Sequence, residues 1–341
     1  NIMKKIKVEE ALGMILAHDL TKIEPGKFKG AKFKKGHIIT EEDIDKLKDA
    51  GKYHINVIEL NENQLHEEEA AKRIANAIKG TGIKLDEPSE GKVSLRAEYK
   101  GLLKIKSDIV EEINSVDMVT LATMHTNSLV EENQIIGGTR VVPLSIDKSV
   151  IEEVEGICSG KEPIIEVKKL KNFKAGIVVT GTEVYEGRIK DKFGEVLENK
   201  AREYGSTPIG IKYAKDDIDM IENAIKELIE EGAELIMTSG GMSVDADDVT
   251  PIAIRNMSDE VISYGSPVLP GSMFMLAYRK GMPIIGVPAC GMYHRITVLD
   301  LILPRVLAEE KVTKHDMAKL GHGGLCLGCD VCTYPVCPFG K

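Results

Sequence analysis

The sequence predicts an α/β protein: a domain built on a mostly parallel sheet covered by helices, preceded by a smaller mixed α+β region. Three observations carry this. From about residue 172 onward, short apolar runs of the buried-strand type alternate with amphipathic helical stripes. Glycines, hydroxyls and carboxylates crowd the points where those runs stop. A chain of 341 residues is also too long for one small core, so more than one domain is expected.

The N-terminal region is read as residues 3–170 with a break near 80–90; Asn1-Ile2, ahead of Met3, are read as an added leader and set aside. Residues 40–50, TEEDIDKLKDA, predict a helix: Thr40 caps it, Ile44 and Leu47 share a face, and Gly51 ends it. A strand follows at 54–59. Residues 63–79 predict a longer helix with Leu65, Ala70, Ile74 and Ile78 toward a core, closed by Gly80-Thr81-Gly82. His66 and the three glutamates after it do not make a zinc-protease helix, because Ala70 stands where the second imidazole belongs. The stretch reads instead as a solvated acidic helix start. Residues 117–122 and 139–142 predict strands, Gly137-Gly138 a turn, and 146–157 an amphipathic helix. His125 reads as a surface or hydrogen-bonded histidine, and the lysine-rich 168–171 as a linker.

The α/β domain is read as residues 172–318. Residues 175–180 are its first buried strand, and 193–204 a helix with Phe193, Val196, Leu197, Lys200 and Tyr204 in step, stopped by Gly205. A strand at 208–211 precedes a helix opened by Asp216 and Asp217, whose Ile218, Ile221, Ile225, Leu228 and Ile229 form one stripe up to Gly232. Strands at 234–237 and 283–287 and an apolar helix over about 295–308 complete it.

Ligands of open α/β sheets collect at the carboxyl ends of the strands. Three segments lie there: Thr180-Gly181-Thr182-Glu183, the stretch TSGGMSVDADDVTP at 238–251, and 288–291. Glycines let an anion reach backbone N–H groups, and hydroxyls of Thr180, Ser239 and Ser243 can donate to phosphate oxygens. Bare carboxylates repel phosphate, so Asp245, Asp247 and Asp248 imply a bridging Mg2+. No GxxxxGK[ST] loop is present. Each segment alone reads as a tight turn with a helix cap; three after successive strands point to a phosphorylated ligand.

Taken together, VTGTE at 179–183, EGRIKD at 186–191 and TSGGMSV at 238–244 resemble the molybdopterin-binding domain of molybdenum cofactor biosynthesis. That family carries a TGxE turn, a G-x-I-x-D segment and a GG-x-S or GG-T-G loop in this order. The likeness covers about residues 172–310, and VEEALGMILAHDLT at 8–21 looks like the opening of the molybdopterin molybdenumtransferase branch. The resemblance implies binding of molybdopterin or its adenylylated form, Mg2+-dependent insertion of molybdate, and a homodimer. It implies catalytic roles for Asp248, Asp191 and Glu183. It implies a ligand pocket of Thr180, Gly181, Thr182, Ser239, Gly240, Gly241, Ser243, Asp245 and Pro288.

The sequence also departs from that branch. Asp245 stands where the branch has glycine, Cys290-Gly291 replace an Asn-Pro, and a cysteine-rich tail stands where a small β domain is expected. The adenylyltransferase branch ends its loop in RD-x-TPE, but here Asp247 replaces the arginine and Ile252 the glutamate. The competence-damage-inducible family, some members of which hydrolyse nucleotide pyrophosphates, has a DD-x-T stretch that residues 247–250 reproduce. Three functions therefore stay open: a molybdate insertase, a non-catalytic molybdopterin carrier that docks on a molybdoenzyme or another cofactor-biosynthesis protein, and a nucleotide pyrophosphatase.

The tail, read as residues 319–341, holds Cys326, Cys329, Cys332 and Cys337 in a C-x2-C-x2-C-x4-C pattern followed by Pro338. Thiolates at such intervals wrap one iron–sulfur cluster or one Zn2+. A formal net charge of −9 argues against a general nucleic-acid binder. No run approaches the roughly 18 apolar residues of a membrane helix, and the expected compartment is the cytoplasm.

Overall fold

The structure is a computed structural model that describes residues 3–24 and 28–341, so Asn1 and Ile2 lie outside the described residues. The chain divides into two compact units, Asn1–Lys168 and Lys169–Lys341.

In the first unit, β1 (Lys4–Lys7) and β2 (Ile15–Leu16) flank β5 (His54–Ile58), while β3 (Leu20–Glu24) and β4 (Phe28–Phe33) make a separate hairpin. Between them α1 (Glu41–Asp49) starts where expected, because Thr40 and Asp43 form a capping box. Leu47, Val8, Leu16 and Val57 close a small core beneath it.

The rest of the unit comprises β6 (Gln64–His66), α2 (Glu67–Ile78), β7 (Ile83–Leu85), β8 (Lys92–Ala97), β9 (Gly101–Ile105), α3 (Ser107–Asn114), β10 (Val119–Thr123), β11 (Leu129–Val130), β12 (Ile135–Val141), β13 (Ser145–Asp147), α4 (Lys148–Cys158) and β14 (Ile165–Lys168). Its sheets run β10-β12-β8-β7 and β11-β9-β14, with β13-β6 as a pair. Ile74 and Ile78 of α2 and Val154 of α4 meet Leu95, Leu103 and Ile113 in one core.

Three expectations are corrected here. The helix read over 63–79 starts only at Glu67, because Gln64–His66 pair antiparallel with Ser145–Asp147. The acidic start is not solvated at its first carboxylate: Glu67 is 4% exposed, and burial pushes its pKa up. Its carboxylate fits because Gly36 and Gly91 lack side chains; a Cβ on either would lie 2.2 Å from a Glu67 oxygen. His66 is buried beside it, with Nε2 2.6 Å from Gly36 O. Finally, Gly137-Gly138 are no turn but lie inside β12, where the register shifts between Ile135 and Gly137. His125 is exposed, as read.

The second unit comprises β15 (Lys174–Thr180), α5 (Thr182–Tyr185), α6 (Phe193–Glu203), β16 (Thr207–Ala214), α7 (Ile218–Glu230), β17 (Leu235–Ser239), α8 (Thr250–Asn256), β18 (Glu260–Tyr264), β19 (Met275–Arg279), β20 (Met282–Val287), α9 (Val298–Leu307) and α10 (Lys314–Lys319). Six strands form one sheet in the order β16-β15-β17-β20-β19-β18. The first four are parallel, and β19 and β18 join antiparallel. β15, β17 and β20 are buried over nearly their whole length because both faces are covered. On one face Ile221, Ile225 and Leu228 of α7 pack with Ile254 of α8 against Val178, Ile236 and Ile284. Asp217 caps α7 by accepting the Met220 N–H at 2.9 Å.

The apolar helix read over 295–308 begins at Val298, where Thr297 and Asp300 make a second capping box. No helix among the described residues is long and apolar enough to cross a membrane. The cysteine-bearing tail folds back onto its unit. Leu269 donates its N–H to Gly324 O and accepts from Cys326 N–H, both at 2.8 Å, and Phe339 is buried.

Candidate functional site

Register brings the three glycine-bearing segments to one edge. Val179 pairs with Ser239, and Ser239 with Val287, so Thr180, Gly240 and Pro288 leave the sheet side by side at its carboxyl end. Thr180 Oγ1 donates to Ser239 O at 3.1 Å and lies 3.1 Å from Thr250 Oγ1. The loop can close this tightly only because residue 240 is glycine: its φ is +88°, and a Cβ there would sit 2.3 Å from Thr180 O. Beneath the closure Ser239 Oγ is fully buried with no hydrogen-bond partner. Ser206 carries the other such hydroxyl among the described residues, but it lies at the amino end of β16, away from this edge.

Met242 plugs the loop into the core under α7 and α8, and Tyr264 donates its hydroxyl to Met242 O at 2.7 Å. From that anchor, Ser243 donates both its N–H (2.9 Å) and its hydroxyl to Asp248 Oδ2. Asp245 Oδ2 lies 3.4 Å from the same hydroxyl. Ser243, Asp245 and Asp248 thus form one group, with Asp245 exposed and Asp248 half-buried. Burial, and then the charge of Asp248, push the Tyr264 hydroxyl pKa up.

The Thr180-Gly181-Thr182-Glu183 turn is held by a residue the sequence reading took only for a helix opener. Asp216 Oδ2 accepts the Thr182 N–H at 3.0 Å and its hydroxyl at 3.2 Å. The signal was present: two consecutive aspartates stand before α7, and one suffices to cap it. Glu183 is exposed on the short α5. Asp191 is held elsewhere. Its carboxylate accepts the N–H groups of Phe193 and Gly194 at 2.8 and 3.1 Å and the Tyr213 hydroxyl at 3.0 Å. Asp191 and Asp248 therefore belong to separate hydrogen-bond groups. Pro288 is buried, and burial pushes up the pKa of the half-buried Cys290 thiol beyond it.

Among the described residues, no three His, Cys, Asp or Glu side chains gather as they would around one ion. Mg2+ needs no such cage, since it commonly binds through one or two carboxylates plus substrate phosphates. The Asp245–Ser243–Asp248 group offers two carboxylates, one exposed and one half-buried. The four tail cysteines line a common cavity, walled also by Tyr293, Arg295 and Ile296.

Residues 176–308, within the second unit, match the family described as "Probable molybdopterin binding domain". Residues 5–59 match the family "Domain of unknown function (DUF8806)". Among individual proteins, the chain is 43% identical over 77 residues to a CinA-like protein of Mycobacterium sp. (strain MCS) and 42% over 77 residues to that of Mycobacterium leprae (strain TN). Each match covers 23% of this chain and 18% of the relative, so the likeness spans under a fifth of those proteins' length. Two solved structures are similar. One is the molybdopterin biosynthesis enzyme MoaB of Thermus thermophilus, at 20% identity and TM-score 0.35, covering 39% of this chain and 91% of that one. The other is CinA of Thermoplasma acidophilum, at 16% identity and TM-score 0.30, covering 35% and 90%.

Proposed function

We propose that the second unit binds a phosphorylated pterin of the molybdopterin type, free or adenylylated, and serves Mg2+-dependent molybdate insertion in molybdenum cofactor biosynthesis. The observation that carries the reading is the buried, unpartnered Ser239 hydroxyl at the edge where β15, β17 and β20 end. A buried hydroxyl without a partner costs about 1–3 kcal/mol, and an anion that parts the loop and reaches it would recover that cost. Gly240 and Gly241, both at positive φ, let the loop close against Thr180 and Thr250 and so set its shape at this edge. The family match over 176–308 supports the pterin as that ligand. Asp248 and Asp245 would hold the Mg2+, which supplies positive charge to phosphate and molybdate oxygens when bound. Glu183 would bound the pocket past the end of β15, and Asp191 on the β16 side.

A second reading, nucleotide pyrophosphate hydrolysis, is favoured by the CinA-like relatives and by Asp247-Asp248-Val249-Thr250. One experiment separates the readings: anaerobic fluorescence titration of molybdopterin into wild type and Ser239→Ala. Removing an unpartnered hydroxyl leaves the ligand-free protein as stable or more so, and weakens pterin binding about tenfold. Equal affinity in the two proteins would overturn the site. Molybdenum incorporation on adding molybdate and Mg2+ supports the insertase, and saturable binding without incorporation means a carrier. Cleavage of ADP-ribose with no pterin present means the hydrolase.

A further inference from the structure

The pterin reading makes no use of the C-terminal tail. Cys326, Cys329, Cys332 and Cys337 all line a single cavity of about 250 Å3, lined also by Tyr293, Ile296 and Phe339. None of the four is in a disulfide. The fold brings them there: Leu325 bridges Leu269, Gly340 donates its N–H to Gly323 O at 2.9 Å, and Phe339 is 4% exposed. A loose tail would show neither the bridge nor the buried ring. Gly323 at φ +90° turns the chain ahead of the thiols, and Gly328 at φ +65° turns it between Cys326 and Cys329.

The arrangement distinguishes between the two kinds of centre four thiolates can hold. A tetrahedral zinc site has zinc–sulfur bonds of about 2.3 Å, so its four sulfurs stand roughly 3.8 Å apart around one point. Here all four thiols line one cavity, and about 250 Å3 is a volume that a cluster fills and a single ion does not. A four-iron cluster is ligated at its corners, so its thiolates spread around a volume. The partly apolar wall from the loop after β20 suits a group that must be kept from water.

We propose that Cys326, Cys329, Cys332 and Cys337 hold a 4Fe–4S cluster in this cavity, against the loop that leaves the ligand edge at Pro288. Assembly is ligand exchange. A cluster delivered whole by a thiolate-ligated donor exchanges its ligands: four iron–thiolate bonds to the donor break as four to this chain form, the protons of the incoming thiols pass to the departing thiolates, and the iron oxidation states do not change. The proposal stands apart from the pterin reading, and its test needs no pterin.

The test is metal and sulfide analysis of the full chain, purified without oxygen from iron-replete cells, with electron paramagnetic resonance after dithionite reduction. The expected result is about four iron and about four acid-labile sulfide per chain and a low-temperature signal of a reduced cluster. Cys329→Ser with Cys332→Ser loses both while circular dichroism stays that of wild type, and Cys290→Ser keeps them. About one zinc per chain without sulfide overturns the proposal, as does a cluster that survives the double replacement. Should the double variant misfold, Cys329→Ser alone, at an exposed position, is read by the same signal, which must be altered or lost.

Discussion

Lys200 Nζ and Asp300 Oδ1 form an ion pair at 2.6 Å, in which the carboxylate is fully buried and the lysine nearly so. Tyr204 donates its hydroxyl to the same oxygen at 2.6 Å, and the Thr297 N–H reaches the other at 2.8 Å. Lys200 also donates to Arg295 O at 2.8 Å. One cation therefore ties α6, the cap of α9 and the loop that walls the cysteine cavity. Burial, and then the Asp300 charge, push the Tyr204 hydroxyl pKa far up. Removing one partner strands the other, so Lys200→Met should cost about 3–5 kcal/mol, read by denaturant unfolding of the full chain. A loss under about 1 kcal/mol would show that the pair does not hold the loop.

Gly240→Ala tests the closure of the site loop. A left-handed φ costs an L-residue about 1–2 kcal/mol, and the 2.3 Å approach to Thr180 O adds to it. Gly232, at φ +98° with nothing within 4 Å, is the matched control and bears the first cost alone. The expected outcome is loss of pterin binding in Gly240→Ala only. Equal effects in the two variants would show that the close approach contributes nothing.

Asp248→Ala releases the N–H and hydroxyl of Ser243 together. Each hydrogen bond to a charged group contributes about 1.5–3 kcal/mol, so losing the two should shift unfolding by no more than about 6 kcal/mol. Mg2+-dependent turnover should fall at least about a hundredfold, the loss of a charge that acts on the reacting anion. Asp245→Ala, at an exposed position farther from Ser243, should have the smaller effect. The reverse ranking would move the metal to Asp245.

Acid should weaken the first unit through Asp43. Burial alone would raise its pKa, but hydrogen bonds from His37 (2.7 Å) and Thr40 hold it to about 2, below the ordinary 3.8. A depressed folded-state pKa stabilises the fold above 3.8, and the contribution is lost as pH falls toward 2. The loss is on the order of 2 kcal/mol and should disappear in Asp43→Asn, as seen in urea unfolding between pH 5 and pH 2. An unchanged pH dependence in the variant would assign it to other carboxylates.

Much of the second unit was legible in the chain itself. Buried parallel strands are short apolar runs, and α7 shows its stripe at Ile221, Ile225 and Leu228, because these patterns follow from local geometry and burial on known faces. The loop of Gly240 and Gly241 was legible for the same reason: positive φ selects glycine locally. Other features depend on residues far apart in sequence. β18 and β19 add antiparallel to the edge of the sheet, and nothing in their local period tells that pairing from any other strand. Gln64–His66 turned from helix to strand because Ser145–Asp147 came alongside. Asp191 reads as a site carboxylate by its motif, yet the approach of Tyr213 and the first turn of α6 engage it. Spacing alone placed four cysteines together, but folding of the tail against Leu269 set them around a volume. Local patterns are written in neighbouring residues; partners across the fold are decided only when packing brings them into contact.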